Sequence, residues 1–192
     1  LEHVPLRIIE LGGGAGLMTD TVLQTVADTE IEYLFTDISR LFAVAARERF
    51  GHHPGMRCDL LDINREFAAQ GFAPGSADVV LAGNVLHNAA HVGHALRRIR
   101  RLLGPGGWLV FTESTQENHA ILTAMQFLLS PQPGASPLGS EDRRAGTDRV
   151  FVDAPGWTAE MQAAGFAPRL ILPTPESPLA VAGQHLFFAT TC

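Results

Sequence analysis

The segment Arg7–Leu11 (RIIEL) runs straight into Gly12-Gly13-Gly14-Ala15-Gly16, and Leu17–Val26 follows with Leu17, Val22, Leu23 and Val26 at helical spacing. A short apolar run, a glycine break and an amphipathic run predict strand, tight turn and helix. Glycines there let the backbone turn sharply and let a ligand approach the main chain. No other feature of the chain restricts its fold as much.

The same alternation continues. Ile31–Thr36 (IEYLFT) reads as a second strand ending at Asp37, and Leu41–Phe50 as a helix with Ser39 at its N-cap position. Met56–Leu61 is a weaker third strand ending at Asp62. Ala77–Ala82 (ADVVLA) is a continuous apolar strand, the kind a parallel sheet buries on both faces. His91–Leu103 is an amphipathic helix that Gly104-Pro105-Gly106-Gly107 stops, and Trp108–Thr112 (WLVFT) is a fifth strand. Asn118–Leu129 reads as a helix, and Ser130–Asp148, rich in Pro, Gly and Ser, as a long mobile loop on the acceptor side. A helix at Thr158–Gly165 and strands at Arg169–Leu172 and His185–Thr190 complete the chain. Strands alternating with helices predict an α/β domain with a mostly parallel sheet. Such sheets bind ligands at the carboxyl ends of their strands. The residues at those ends are Gly12–Gly16, Asp37, Asp62, Asn84–His87 and Glu113.

Composition narrows the function. The 192 residues suit a single domain, and 20 acids against 14 bases leave a net charge of −6, which disfavours nucleic acid and anionic membranes as partners. All 14 bases are arginine, so a lysine Schiff base, a P-loop lysine and a Ser-Lys dyad are excluded. Cys58 and Cys192 form no metal or redox motif, and the expected setting is a reducing cytoplasm. No apolar run is long enough to span a membrane, and no signal peptide is expected. The chain begins at Leu1, almost on its first strand, and reads as a piece of a longer polypeptide.

The glycine turn is not a dinucleotide fingerprint. Gly12 and Gly14 fit G-x-G-x-x-G, but Leu17 stands in the third position, which weakens a nicotinamide oxidoreductase reading. The pattern present is E-x-G-x-G-x-G from Glu10 to Gly16. Asp37 follows Gly12 by 25 residues, a separation that suits a carboxylate accepting both hydroxyls of a ribose.

At these residues the chain resembles the class I S-adenosylmethionine-dependent methyltransferases. ELGGGAG resembles their first motif, TDIS their second, LDI their third, and ADVVLAGNVLH and LGPGGWLVFTE their fourth and fifth. The resemblance runs from Arg7 to Glu113 and is nearest to the methyltransferase domains embedded in polyketide and non-ribosomal peptide synthases. FTDIS, LDINREFAAQGFAPGSADVVLAGNVLH and the 26-residue gap from His87 to Glu113 carry that nearer match. It implies a Rossmann-like, doubly wound, mostly parallel seven-stranded sheet with an antiparallel last strand and helices on both faces. It implies S-adenosylmethionine as cofactor, an acyl or peptidyl thioester on a carrier protein's phosphopantetheine arm as substrate, and neighbouring synthase domains as partners.

The resemblance also implies residue roles. Gly12, Gly13, Gly14 and Gly16 form the cofactor turn, with Gly12, Gly14 and Gly16 leaving space for the methionine part. Glu10 supports the turn near the methionine amino group. Asp37 holds the ribose, Asp62 accepts from the adenine amino group with Asp59 as its rival, and Ile63 packs on the ring. Asn84 and Val85 line the pocket through backbone atoms. The family's helices ahead of the first strand are absent from these residues.

For catalysis the candidates are His87 and Glu113. Carbon methylation needs a base near neutral pH, histidine titrates there, and a carboxylate can orient the ring. His87, His91 and His94 recur at helical spacing but lack an acidic or Cys co-ligand, so no metal site is expected. Phe127 and Trp157 read as core packing, and the Arg97–Arg101 cluster as a solvated helix face. The competing functions are O- or N-methylation of a small molecule and a non-catalytic scaffold with the methyltransferase fold.

Overall fold

The computed structural model describes residues 4–117, 122–123 and 138–192. In chain order the elements are β1 Leu6–Leu11, α1 Leu17–Thr25, β2 Ile31–Asp37, α2 Arg40–Phe50, β3 Met56–Leu60 and β4 Ala77–Gly83. After them come α3 Val92–Leu102, β5 Leu103–Ser114, α4 Ala154–Ala163, β6 Phe166–Leu172 and β7 Gln184–Thr191. Seven strands form one sheet in the order β3-β2-β1-β4-β5-β7-β6. Pairing from β3 through β5 is parallel, and β7 runs antiparallel to both of its neighbours. This is the expected doubly wound sheet with its antiparallel last strand.

Strand periodicity sends alternate side chains to opposite faces. Ile8 joins Leu23, Tyr33, Phe35 and Phe50 in a core beneath α1 and α2. Ile9 and Leu11 join Leu96, Ile99, Phe111, Trp157 and Phe187 in a larger core beneath α3 and α4. Each such side chain contributes roughly 1.5–3 kcal/mol by leaving water. Trp157 is fully buried edge-on against Phe111 at 5.2 Å, as expected of a core residue.

Several boundaries differ from expectation; α4, for example, starts at Ala154 and not Thr158. β5 starts at Leu103 and not Trp108, because Ala77 pairs with Leu103 and Val79 with Trp108. Residues 104–107 thus bulge within the strand, and Gly106 at φ 70° supplies a left-handed turn. β6 starts at Phe166, with an irregularity between Pro168 and Leu170. Within residues 138–148, part of the expected loop, Arg144 is buried and bonded to several main-chain carbonyls. Of the expected helix Asn118–Leu129 only Leu122 and Thr123 are described, and both are helical. Phe127 and residues 130–137 lie outside the described residues.

Three of the four α3 arginines bind their own chain. Arg98 and Arg101 pair with Glu66, and Arg100 donates to the carbonyls of Gly165 and Cys192.

Candidate active site

The glycine turn follows β1, between the carboxyl ends of β2 and β4. Its glycines are required for different reasons. A Cβ on Gly12 would collide with Val85, one on Gly13 with Phe35, and one on Gly16 with Phe50. Protein side chains already occupy the Cβ positions of Gly12 and Gly16. Gly14 differs: the nearest atom to its Cβ position would be the Gly12 carbonyl oxygen at 4.0 Å. Its φ of 52° also disfavours any other residue. The open space of the turn lies over Gly14.

Two carboxylates brace the turn. Glu10 is buried, and its Oε2 accepts from Thr19 Oγ1 at 2.5 Å and Tyr33 Oη at 2.8 Å. Burial pushes the Glu10 carboxyl up from the usual carboxylate range against these two bonds, and the charge of Asp37 adds to the rise. Asp37, 6% exposed at the end of β2, accepts from the Gly14 N–H at 2.9 Å and the Ser39 N–H at 2.7 Å. Ser39 precedes α2, but its side chain makes no capping bond. A carboxylate has about four lone-pair sites, so Asp37 keeps capacity for further donors. Thr19 and Tyr33 were not singled out in the sequence, where they look like ordinary helix and strand residues.

At the end of β3, Asp59 lies inside the strand opposite Thr36, whereas Asp62 lies past its end. The Asp62 main chain is clasped by Gln70, which accepts from its N–H at 2.8 Å and donates to its carbonyl at 2.9 Å. Ile63 is only 7% exposed and packs in the larger core. Its side chain therefore has little surface left for a ring. Ile38, 69% exposed beside Asp37, presents apolar surface that Ile63 does not.

β4 ends at Gly83, next to the glycine turn. Asn84 then takes a φ of 50°, its N–H donates to the Thr112 carbonyl, and its side chain accepts from Gln184 Nε2 at 2.9 Å. Val85 packs against Gly12. The 3-10 turn Leu86–Asn88 carries His87 into the interior, where it is 2% exposed. Glu113, on the neighbouring β5, is fully buried. Its Oε1 accepts from the main-chain N–H groups of Leu86 at 2.7 Å and His87 at 3.2 Å, and its Oε2 meets His87 Nδ1 at 2.7 Å. Facing a carboxylate, Nδ1 is placed to donate, and in a neutral ring Nε2 is then left with a lone pair. Nε2 is buried without a hydrogen-bond partner among the described residues. Leaving such an atom unpaired costs about 1–3 kcal/mol. The ring of Phe151 stands edge-on to that of His87 at 5.2 Å.

His91 caps α3, accepting weakly from the His94 N–H, and the two rings stack at 3.9 Å.

Residues 9–109 match the methyltransferase domain family. The chain belongs to that family. Its cofactor is S-adenosylmethionine, and its fold is that of the class I enzymes. It is 38% identical over 163 residues to the hybrid PKS-NRPS synthetase lepA of Aspergillus flavus, covering 84% of this chain and 4% of that synthetase. The chain therefore spans a small part of the curated relatives it matches. The solved CurJ carbon methyltransferase superposes with a TM-score of 0.86 at 28% identity, over 100% of this chain and 50% of that one. The trans-methyltransferase CalH, solved in complex with SAH, gives 0.81 at 29% identity, over 98% of this chain and 52% of that one. Among the described residues no helix is long and apolar enough to cross a membrane.

Proposed function

We propose that this methyltransferase C-methylates the α-carbon of an acyl or peptidyl thioester tethered to a carrier protein, with His87 as general base and Glu113 as its orienting partner. Residues 1–192 would form the single core domain of a longer synthase. The observation that carries the reading is the buried His87–Glu113 pair with Nε2 left free, one strand away from the open glycine turn.

The cofactor would be held by the Gly12–Gly16 main chain, with Gly14 presenting the open space. Asp37 would take the ribose hydroxyls, Asp62 the adenine amino group and Ile38 the ring face. Glu10 supports the turn from below, and Asn84 and Val85 border it. When bound, S-adenosylmethionine supplies an electrophilic methyl group.

The chemical difficulty lies with the acceptor. A carbon between two carbonyls becomes a nucleophile only once a proton leaves. His87 Nε2 takes that proton. Glu113 fixes the tautomer through Nδ1 and stabilises the imidazolium that forms, as the carboxylate does in serine hydrolases. The apolar edge of Phe151 keeps water from the ring. The electron pair left on carbon would form the new C–C bond as the bond between the methyl group and the cofactor sulfur breaks, with neutral S-adenosylhomocysteine as the leaving group.

The test is product analysis by mass spectrometry with S-adenosylmethionine and a phosphopantetheine-bound β-keto thioester. A 14-Da gain (one CH2) that fragmentation places on the α-carbon supports the reading. A methyl group on oxygen or nitrogen, or no transfer while the cofactor binds, overturns it.

A further inference from the structure

We infer that Arg144 is a positioning residue for His87. The inference rests on the reading of His87 as the base.

The guanidinium of Arg144 is 3% exposed, and all five of its N–H donors have acceptors. Nη1 donates to the carbonyls of His87 at 2.7 Å and Val150 at 3.0 Å. Nη2 donates to the Ala89 carbonyl at 2.8 Å and to Asp142 Oδ2 at 2.7 Å, and Nε donates to Asp142 Oδ1 at 3.0 Å. Asp142 Oδ2 also accepts from the Val92 N–H, the start of α3, at 2.9 Å. One buried ion pair therefore joins the histidine turn, the first residue of α3 and the segment that ends in Phe151.

The consequence for His87 follows atom by atom. Glu113 holds its N–H and its Nδ1, and Arg144 holds its carbonyl. Every polar atom of the residue is fixed except Nε2. The neighbour in front of the ring is fixed by the same device: Arg144 grips the Val150 carbonyl, while Glu117 Oε1 accepts from the N–H groups of Val150 and Phe151 at 2.9 Å each. His87 sits on a short 3-10 turn and not on a strand, so the sheet does not set its direction. A base displaced by about 1 Å can lose roughly 10²-fold in rate. A planar fork that spans two carbonyls of the turn is suited to prevent that shift, and lysine cannot reproduce it.

Arg144→Lys in the full-length protein tests the inference. We expect kcat to fall about 10-fold or more, with cofactor affinity and the acceptor KM within about twofold of wild type. In a His87→Ala background the same substitution should cause no further loss, because there is no base left to aim. Asp142→Asn, which loosens the guanidinium without removing it, should act in the same direction more weakly, and it carries the comparison if the lysine variant does not fold. An unchanged kcat, or an equal fractional loss in both backgrounds, overturns the positioning role and leaves His87 as base untouched. A wild-type rate in His87→Ala alone overturns the base, and the positioning role with it.

Discussion

At the end of β1 the chain turns on main-chain atoms and open space, while at the end of β4, the next strand in the sheet, it turns on buried side chains. The first turn closes within its own neighbourhood: Gly14 to Asp37 and Glu10 to Tyr33 each span 23 residues, and Glu10 to Thr19 spans 9. The second has a span of similar length, 26 residues from His87 to Glu113, but adds a distant segment, with Arg144 reaching the His87 carbonyl across 57. Holding a ligand common to many enzymes requires main-chain shape and a few carboxylates. Moving a proton at one carbon requires a side chain aimed and kept aimed. The two ends therefore fail differently when altered.

Substituting the base should separate them most. His87→Ala should lower methylation by roughly 10²–10⁴-fold while cofactor affinity, read by calorimetry, stays near wild type. Glu113→Gln should cost less, and the double variant should be no worse than His87→Ala. Parallel loss of cofactor binding would erase the distinction between the two ends.

Asp37→Ala should do the converse. Removing the acceptor leaves a pair of hydroxyls unpaired, about 1–3 kcal/mol, which is roughly 5- to 150-fold in cofactor affinity. With saturating cofactor the rate should recover, and failure to recover would place Asp37 in the chemistry.

Within the turn itself, Gly12→Ala should destabilise more than Gly14→Ala. Both incur the left-handed penalty of about 1–2 kcal/mol, but only Gly12 adds a collision, with Val85. Gly14→Val should instead remove cofactor binding, with a stability loss set by the left-handed backbone and no collision at Cβ. Denaturant titrations of the three variants check the order.

The smallest effect is in pH. The Glu10 carboxyl is raised by burial, so the folded state binds its proton more tightly than the unfolded state does. Wild-type stability from this group therefore falls as pH rises above the ordinary glutamate value of 4.5. Asp142 is the reverse. Burial alone would raise it, but the Arg144 bond, the Val92 and Arg144 N–H groups and the Arg144 charge hold it below the ordinary value of 3.8. Its contribution is complete above that value and is lost as pH falls below it. Urea titrations should show Glu10→Gln gaining on wild type as pH rises past 4.5, and Asp142→Asn closing its deficit as pH drops below 3.8. Matching slopes would mean that the two ends are not electrostatically distinct.

The same division decided what the sequence revealed. β1, β2, β4 and the glycine turn were legible because period, glycine placement and strand-end acids are local signals. The His87–Glu113 pair was legible from the position of each at the end of adjacent strands. Arg144 was not: in SEDRRAGTD it reads as one more charge in a polar loop, and its burial comes from carbonyls far away in sequence. β5 was begun late because Gly104–Gly107 resemble a plain turn, while the bulge keeps Leu103 in register with Ala77. Ile63 is buried in the larger core whereas Ile38 is exposed, a difference that sequence alone does not show.

β7 is the last strand in the chain, yet it lies inside the sheet, between β5 and β6. During synthesis β6 leaves the ribosome with no strand to pair with, and it waits for residues 184–191. Those residues also bring Gln184, which bonds Asn84 at the rim of the site. A nascent chain is thus complete in its cofactor turn long before its acceptor rim is closed. A stop ahead of Gln184 would delete one strand by count and unpair a second.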